Sequence, residues 1–243
     1  IETLRGSLFD DTLTGDANSN KIRGLDGNDI IDGGAGFDTV DYSLDDNFEG
    51  FGGVTVDLAA GTAIDGFGAT DTLANIEKVI GTDVGDTITG DGANNVLEGQ
   101  SGDDTLTGGA GNDTLTGGAG NDTIDGGAGT DTAVFSGNLA NYSLTDNGGG
   151  SITVVDEVGT DGTDQLQDVE FLQFLDQTIP TGAIGTFPTP GDDTLIGTAN
   201  AETIDALGGD DVIAGLGGND VIEGGTGFDE ADYSLDAADG GTL

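Results

Sequence analysis

Four aspartates, Asp104, Asp113, Asp122 and Asp131, follow one another at intervals of nine residues. Each holds the sixth place in a near-repeated unit: GQSGDDTLT (Gly99 to Thr107), GGAGNDTLT (Gly108 to Thr116), GGAGNDTID (Gly117 to Asp125) and GGAGTDTAV (Gly126 to Val134). Carboxylates, and carbonyls freed in glycine turns, are hard oxygen donors of the kind calcium prefers. The chain has no cysteine and no histidine. Thiol chemistry, the usual transition-metal ligand and the commonest general base are therefore absent.

The elements that position these acids are short. Each unit reads as a six-residue glycine turn followed by three strand-forming residues, with one aliphatic at position 8 (Leu106, Leu115, Ile124). The glycines at positions 1, 2 and 4 are read as supplying backbone angles that other residues adopt only at a cost. A lone three-residue strand buries nothing, so the units must stack. Two units close a coil of about 18 residues, and successive coils lie about 4.8 Å apart. Asp104 then sits over Asp122, and Asp113 over Asp131. Bare carboxylates at that spacing repel by about 3 to 4 kcal/mol at an effective dielectric of about 20, which calls for a cation between the turns.

These units resemble GGxGxDxUx, the nonapeptide of the repeats-in-toxin (RTX), or hemolysin-type calcium-binding, family. The resemblance implies an all-β fold, a right-handed parallel β-roll, with calcium held between turns. It also implies a bacterial protein that is secreted or displayed at the cell surface, with type I secretion as the route. Carried over unit by unit, the implied metal-binding acids are Asp11, Asp29, Asp38, Asp86, Asp104, Asp113, Asp122, Asp131, Asp193, Asp211, Asp220 and Asp229. Turn glycines complete the shells: Gly102, Gly109, Gly111, Gly118, Gly120, Gly127, Gly129, Gly209, Gly218 and Gly227. Phe9, Val84, Ala93 and Asn200 stand where the pattern has glycine at position 4.

Composition supports a chain that needs metal to fold. It carries 47 acidic residues against four basic ones (Arg5, Lys21, Arg23, Lys78), a formal charge of −43 over 243 residues, with 48 glycines. Such a balance belongs to disordered chains, yet the aliphatics are periodic. Both facts are met by a chain unfolded without metal and folded with it. Nucleic acid and anionic membranes are repelled by this surface, and no run approaches the roughly 20 apolar residues of a membrane span. No signal peptide is visible ahead of the repeat-like start at Ile1.

In order, residues 1–41 form a first roll block, with nonads from Gly6. Residues 42–80 form a β-rich insert, 81–134 a second block, 135–187 a second insert, 188–232 a third block, and 233–243 the start of a further insert. The inserts are expected to cap exposed apolar rungs. They share a grammar: a Tyr-Ser-Leu segment (Tyr42, Tyr142), a valine-rich strand (53–58 and 151–156), then an acidic-aliphatic segment. Asp168-Val169-Glu170 stands where Asn75-Ile76-Glu77 stands before. Gly148 to Gly150 read as a hairpin loop. Expected stacked pairs are Asp11 with Asp29, Asn20 with Asp38, Asp193 with Asp211, Glu202 with Asp220, and Asp211 with Asp229. One ion per stacked pair gives two, four and three calcium ions in the blocks, about nine in all.

The expected function is a calcium-binding, non-enzymatic segment that folds after export, read as a monomeric fragment of a longer array. The alternative is an accessory module of an extracellular enzyme such as an epimerase, lipase or peroxidase. It would aid folding or bind a polysaccharide or cell-surface ligand. No nucleophilic constellation is present. The flanking threonines (Thr105, Thr107, Thr114, Thr116) are read as ordinary strand formers. No EF-hand loop occurs.

Overall fold

The inward aliphatic of each nonad sets the architecture. Thr105-Leu106-Thr107 pairs in parallel with Thr123-Ile124-Asp125, and Thr87-Ile88-Thr89 pairs with it from the other side. Alternate nonads supply alternate walls, so neighbours within a wall are one coil apart. Leu97, Leu106, Leu115, Ile88 and Val79 are all fully buried. A buried aliphatic of this size stabilises by about 1.5 to 3 kcal/mol, so stacking rather than any single strand carries the fold.

The computed structural model describes residues 2–43, 52–183, 191–196, 203–215 and 220–232. Gly218, Asn200 and Glu202, and residues 233–243, lie outside them. Among the described residues the secondary structure is strand, with two short 3-10 turns, and no helix is long and apolar enough to cross a membrane. One wall is a nine-stranded sheet. It runs in space through Thr3–Arg5, Lys21–Arg23, Thr39–Asp41, Lys78–Ile80, Val96–Ser101, Thr114–Ala119, Thr132–Val134, Phe171–Gln173 and Thr178–Pro180. The other wall has eleven strands. From Thr12–Thr14 and Ile30–Asp32 it passes through Thr70–Ala74, Thr62–Ile64 and Thr55–Asp57. It then continues through Thr87–Thr89, Thr105–Gly111 and Thr123–Gly129 to Thr163–Gln167, Ser151–Asp156 and Tyr142–Gly148.

The first insert is thus spliced between the first two blocks, its described residues giving one strand to one wall and three to the other. It covers their end rungs by pairing with them, and one apolar core runs from Ile22 to Ile179. The second insert pairs onto the last rungs of the second block in the same way. Pairing also corrects the alignment of the inserts. Ser151–Asp156 is the middle, antiparallel strand, and its counterpart is Thr62–Ile64. The place of Thr55–Asp57 is taken by Tyr142–Gly148. Gly148, Gly149 and Gly150 do turn the hairpin, at φ of 80°, 66° and 84°.

Strand length differs from the expected three residues. Thr105–Gly111 and Thr123–Gly129 each span seven, because Gly109 to Gly111 ladder in parallel with Gly127 to Gly129. The turns themselves stack as sheet. Tyr42 and Tyr142 are fully buried, and the latter packs with Phe135 and Phe174 at centroid distances of 5.4 and 5.0 Å. In the third block, Thr194–Ile196, Val212–Ala214 and Glu230–Ala231 form one sheet and Thr203–Asp205 pairs with Val221–Glu223. Leu195, Ala206 and Ile213 make a separate small core.

Candidate metal centre

Seven position-6 carboxylates, Asp29, Asp38, Asp104, Asp113, Asp122, Asp131 and Asp211, are at most 2% exposed. Their two oxygens have different surroundings. Oδ1 of Asp122 accepts the main-chain N–H of Asp104 at 2.8 Å, and Oδ1 of Asp131 that of Asp113 at 2.8 Å. The same bond joins Asp11 to Asp29, Asn20 to Asp38, Asp86 to Asp104, Asn95 to Asp113, Asp193 to Asp211 and Asp211 to Asp229. Each expected stacked pair within the described residues is therefore joined by an amide. The carboxylates do not face each other bare, which softens the repulsion estimated from spacing alone.

Oδ2 is another matter. In all seven of those aspartates it is buried with no hydrogen-bond partner. A buried, unpaired anionic oxygen costs far more than a satisfied one. Six of these oxygens lie beside the position-1 glycine of their own turn; the seventh, that of Asp211, belongs to a turn with Ala206 at position 1. A Cβ built on Gly108 would meet Asp113 Oδ2 and the Gly126 carbonyl oxygen, each at 2.5 Å; one on Gly99 would meet Asp104 Oδ2 and, at 2.7 Å, the Gly117 carbonyl oxygen. Position 1 is glycine to leave room for converging oxygens, and it is absent from the residues with positive φ. That corrects the expectation that all three glycines serve backbone angle. Positions 2 and 4 do: Gly118 and Gly120 hold φ of 111° and 138°. Gly102, Gly109, Gly111, Gly127, Gly129, Gly209 and Gly227 share this geometry.

In the irregular turns the protein's own donors reach the position-6 side-chain oxygens. Ser7 donates its N–H and hydroxyl to Asp11 Oδ2 at 2.6 and 2.9 Å. Thr82 donates its N–H to Asp86 Oδ2 at 2.7 Å, while Oδ1 of Asp86 accepts Val54 N–H and the Thr82 hydroxyl. Asp16 and Asp91 donate N–H groups to Oδ1 of Asn20 and Asn95. In a regular turn the positive φ at position 2 accompanies an Oδ2 without that amide. So in the first coils of the first two blocks, the replacement of glycine at position 2 goes with a position-6 side-chain oxygen that accepts the amide of the replacing residue.

Burial dominates the titration of six of those seven aspartates, with neighbouring carboxylates adding to it. It pushes Asp104 up to about 8 and Asp29 and Asp122 up to about 6, and raises Asp113, Asp131 and Asp211. The cations are placed elsewhere. Lys21 and Arg23 both pair with Asp41, at 2.5 and 2.7 Å, and Lys78 pairs with Glu98 at 2.6 Å. Among the described residues no three acidic side chains converge into a carboxylate cage. The ligand set on offer is one carboxylate oxygen per turn plus main-chain carbonyls, a hard, mixed-oxygen set that suits calcium and not a softer ion.

The RTX calcium-binding nonapeptide repeat pattern matches residues 5–40, 80–115, 98–133, 189–215 and 196–231, together more than half of the chain. The chain belongs to the RTX calcium-binding nonapeptide repeat family. RTX membership makes it a calcium-binding repeat module, a structural rather than catalytic family, from secreted or cell-surface bacterial proteins. A solved structure similar to this chain is the extracellular lipase LipA from Serratia marcescens. It is 22% identical with a TM-score of 0.22, over 63% of this chain and 26% of that one. The chain thus spans about a quarter of that lipase's length.

Two sets of RTX-turn residues escape the nonad reading. One is a second ladder at position 5, running the opposite way. Asn112 Oδ1 accepts Thr130 N–H at 3.0 Å and Asn121 Oδ1 accepts Thr163 N–H at 3.0 Å, while Asp103 Oδ1 accepts Asn121 N–H at 2.8 Å. The variable Asn or Asp before the fixed acid was its trace. The other set lies in the inserts. Asp71 and Asp164 accept the N–H groups of Asp29 and Asp122, and Glu77 and Glu170 those of Asp38 and Asp131. The matching Asn75-Ile76-Glu77 and Asp168-Val169-Glu170 segments signalled the glutamates. The third block is sparser: Asp193 and Asp211 are buried, Asp229 is exposed, and the Oδ2 atoms of Asp220 and Asp229 lie beside Gly215 and Gly224.

Proposed function

We propose that this segment is a calcium-triggered folding unit: disordered in the low calcium of the cytosol, and folded into a closed right-handed roll by millimolar calcium outside the cell. The supporting observation is the set of seven buried carboxylate oxygens without partners, six of them beside a position-1 glycine. Without an ion these groups oppose folding. With one they become the staples that a chain of net charge −43 and no cysteine otherwise lacks.

Asp29, Asp38, Asp104, Asp113, Asp122, Asp131 and Asp211 hold the ions, together with turn carbonyls such as those of Gly117 and Gly126. Asp11 and Asp86, whose Oδ2 atoms already accept protein N–H groups, serve as end turns. Stability linked to an ion grows as RT ln(1 + [L]/Kd) at each site, so several weak sites in one stack make a steep transition. Circular dichroism during a calcium titration tests this. A cooperative gain of β-structure with calcium, not reproduced by magnesium at equal concentration, is expected. Equal order in excess chelator would overturn the proposal.

A further inference from the structure

Both inserts break the coil period at the same two places by the same amounts. In one wall the next acid comes 42 residues on, Asp29 to Asp71 and Asp122 to Asp164. In the other it comes 39 residues on, Asp38 to Glu77 and Asp131 to Glu170. Asp38 and Asp131 donate their N–H groups to Oε2 of Glu77 and Glu170 at 2.7 Å in each case, the bond that Asp113 makes to Asp131 Oδ1 within the regular stack.

The glutamates do not come from nonad turns. Each stands two residues after a non-glycine residue in the left-handed region, Asn75 at φ 54° and Asp168 at φ 50°. The carbonyl oxygens of Asn75 and Asp168 stand against Gly33 and Gly126, the places that position-1 carbonyls of the next coil take elsewhere, as the Gly126 carbonyl does against Gly108. Facing them are Asp38 Oδ2 and Asp131 Oδ2, fully buried and without partners. In the other wall the copy is partial. No insert carbonyl is among the atoms nearest Gly24 or Gly117, and the Tyr42 hydroxyl donates to the second oxygen of Asp71 at 3.1 Å.

We infer that each insert ends in a half-turn that closes a calcium site of its own on the last nonad turn of the preceding block. One site is built from Asp38 Oδ2, the Asn75 carbonyl and Glu77; the other from Asp131 Oδ2, the Asp168 carbonyl and Glu170. In a nonad five residues separate the position-1 carbonyl from the carboxylate. Here two suffice, because glutamate reaches one methylene further than aspartate. Neither half-turn falls within the residues that match the repeat family. Asn75 and Glu77 line an open cavity of about 160 Å³, and Asp168 and Glu170 one of about 280 Å³, which gives a hydrated ion a route in. The inserts thereby continue the ion stack across the block boundary instead of ending it.

This inference rests on the calcium reading of the nonad turns, and the test separates the two. Bound calcium per chain is measured by equilibrium dialysis with calcium alone for the parent chain, Glu77→Gln, Glu170→Gln and, as an internal reference, Asp113→Asn. Each variant is expected to bind one calcium fewer than the parent at a fixed free concentration. Full binding by both glutamine variants alongside a loss in Asp113→Asn overturns the half-turn sites and leaves the nonad reading intact. No loss in Asp113→Asn overturns both. If circular dichroism shows that a glutamine variant fails to fold in saturating calcium, Glu77→Asp and Glu170→Asp replace it. They keep the charge but fall a methylene short, so an affinity about tenfold weaker at one site is expected, and unchanged affinity overturns the inference.

Discussion

Asp122 gives one carboxylate oxygen to the main-chain N–H of Asp104, 2.8 Å away in the neighbouring coil, and leaves the other buried without a partner. The first contact fixes register, since a slip of one residue would leave the Asp104 amide unpaired. The second leaves an anionic oxygen with no protein donor to meet it, which a proton or a cation would satisfy. One residue type at one position thereby couples the spacing of the coils to the presence of metal.

Asp122→Asn separates those two tasks. Asparagine keeps an oxygen for the Asp104 amide but places a neutral amide where the unsatisfied oxygen lay. The calcium concentration at half-folding should rise about tenfold, with a near-native spectrum at saturation. An unchanged midpoint would mean that Oδ2 does not face the ion.

Gly120 holds φ of 138°, and a Cβ there would run into the Gly102 carbonyl oxygen. Gly120→Ala should destabilise the calcium-loaded fold by about 1 to 3 kcal/mol. Gly92 sits in an irregular turn with nothing near its would-be Cβ, and Gly92→Ala should change stability by less than about 0.5 kcal/mol. Urea unfolding at fixed calcium compares them, and equal effects would remove the distinction between regular and irregular turns.

Acid should substitute for calcium. Burial raises Asp104 and Asp164 to about 8 and Asp71 to about 7 in the folded chain, against about 3.9 in the unfolded one. The metal-free fold therefore binds more protons than the unfolded chain between about pH 4 and pH 8, and its stability falls as pH rises through that window. In chelator, β-structure should be greater at pH 5 than at pH 8. In calcium the order reverses, because protons compete for the same oxygens and calcium affinity should weaken at pH 5. Metal-free circular dichroism that is the same at both values would contradict the assigned burial.

Asn112 belongs to the outer ladder, not to the ion row. Removing its side chain in Asn112→Ala leaves the Thr130 N–H, bonded at 3.0 Å, to water. A loss of about 0.5 to 1.5 kcal/mol in thermal unfolding is expected, with the number of bound calcium ions unchanged. A variant that binds fewer ions would place position 5 among the ligands.

Much of this was readable in the residues alone. A nine-residue period with glycine at fixed places and one aliphatic per unit admits a stack of short parallel strands and little else, because no single unit can bury its own apolar residue. The pairing of Asp104 with Asp122 and of Asp113 with Asp131 follows from two units per coil. The row of acids required a hard cation, because like charges at strand spacing repel and the chain offers only four basic residues. Tertiary structure decided what periodicity leaves open. It set the direction of each amide bond, so that one carboxylate oxygen is used and one is free. It satisfied Asp11 and Asp86 from Ser7 and Thr82. It also drew Glu77 and Glu170 into the row across breaks of 39 residues. None of these can be counted along a chain, because each depends on which backbone N–H a folded neighbour happens to aim at the acid.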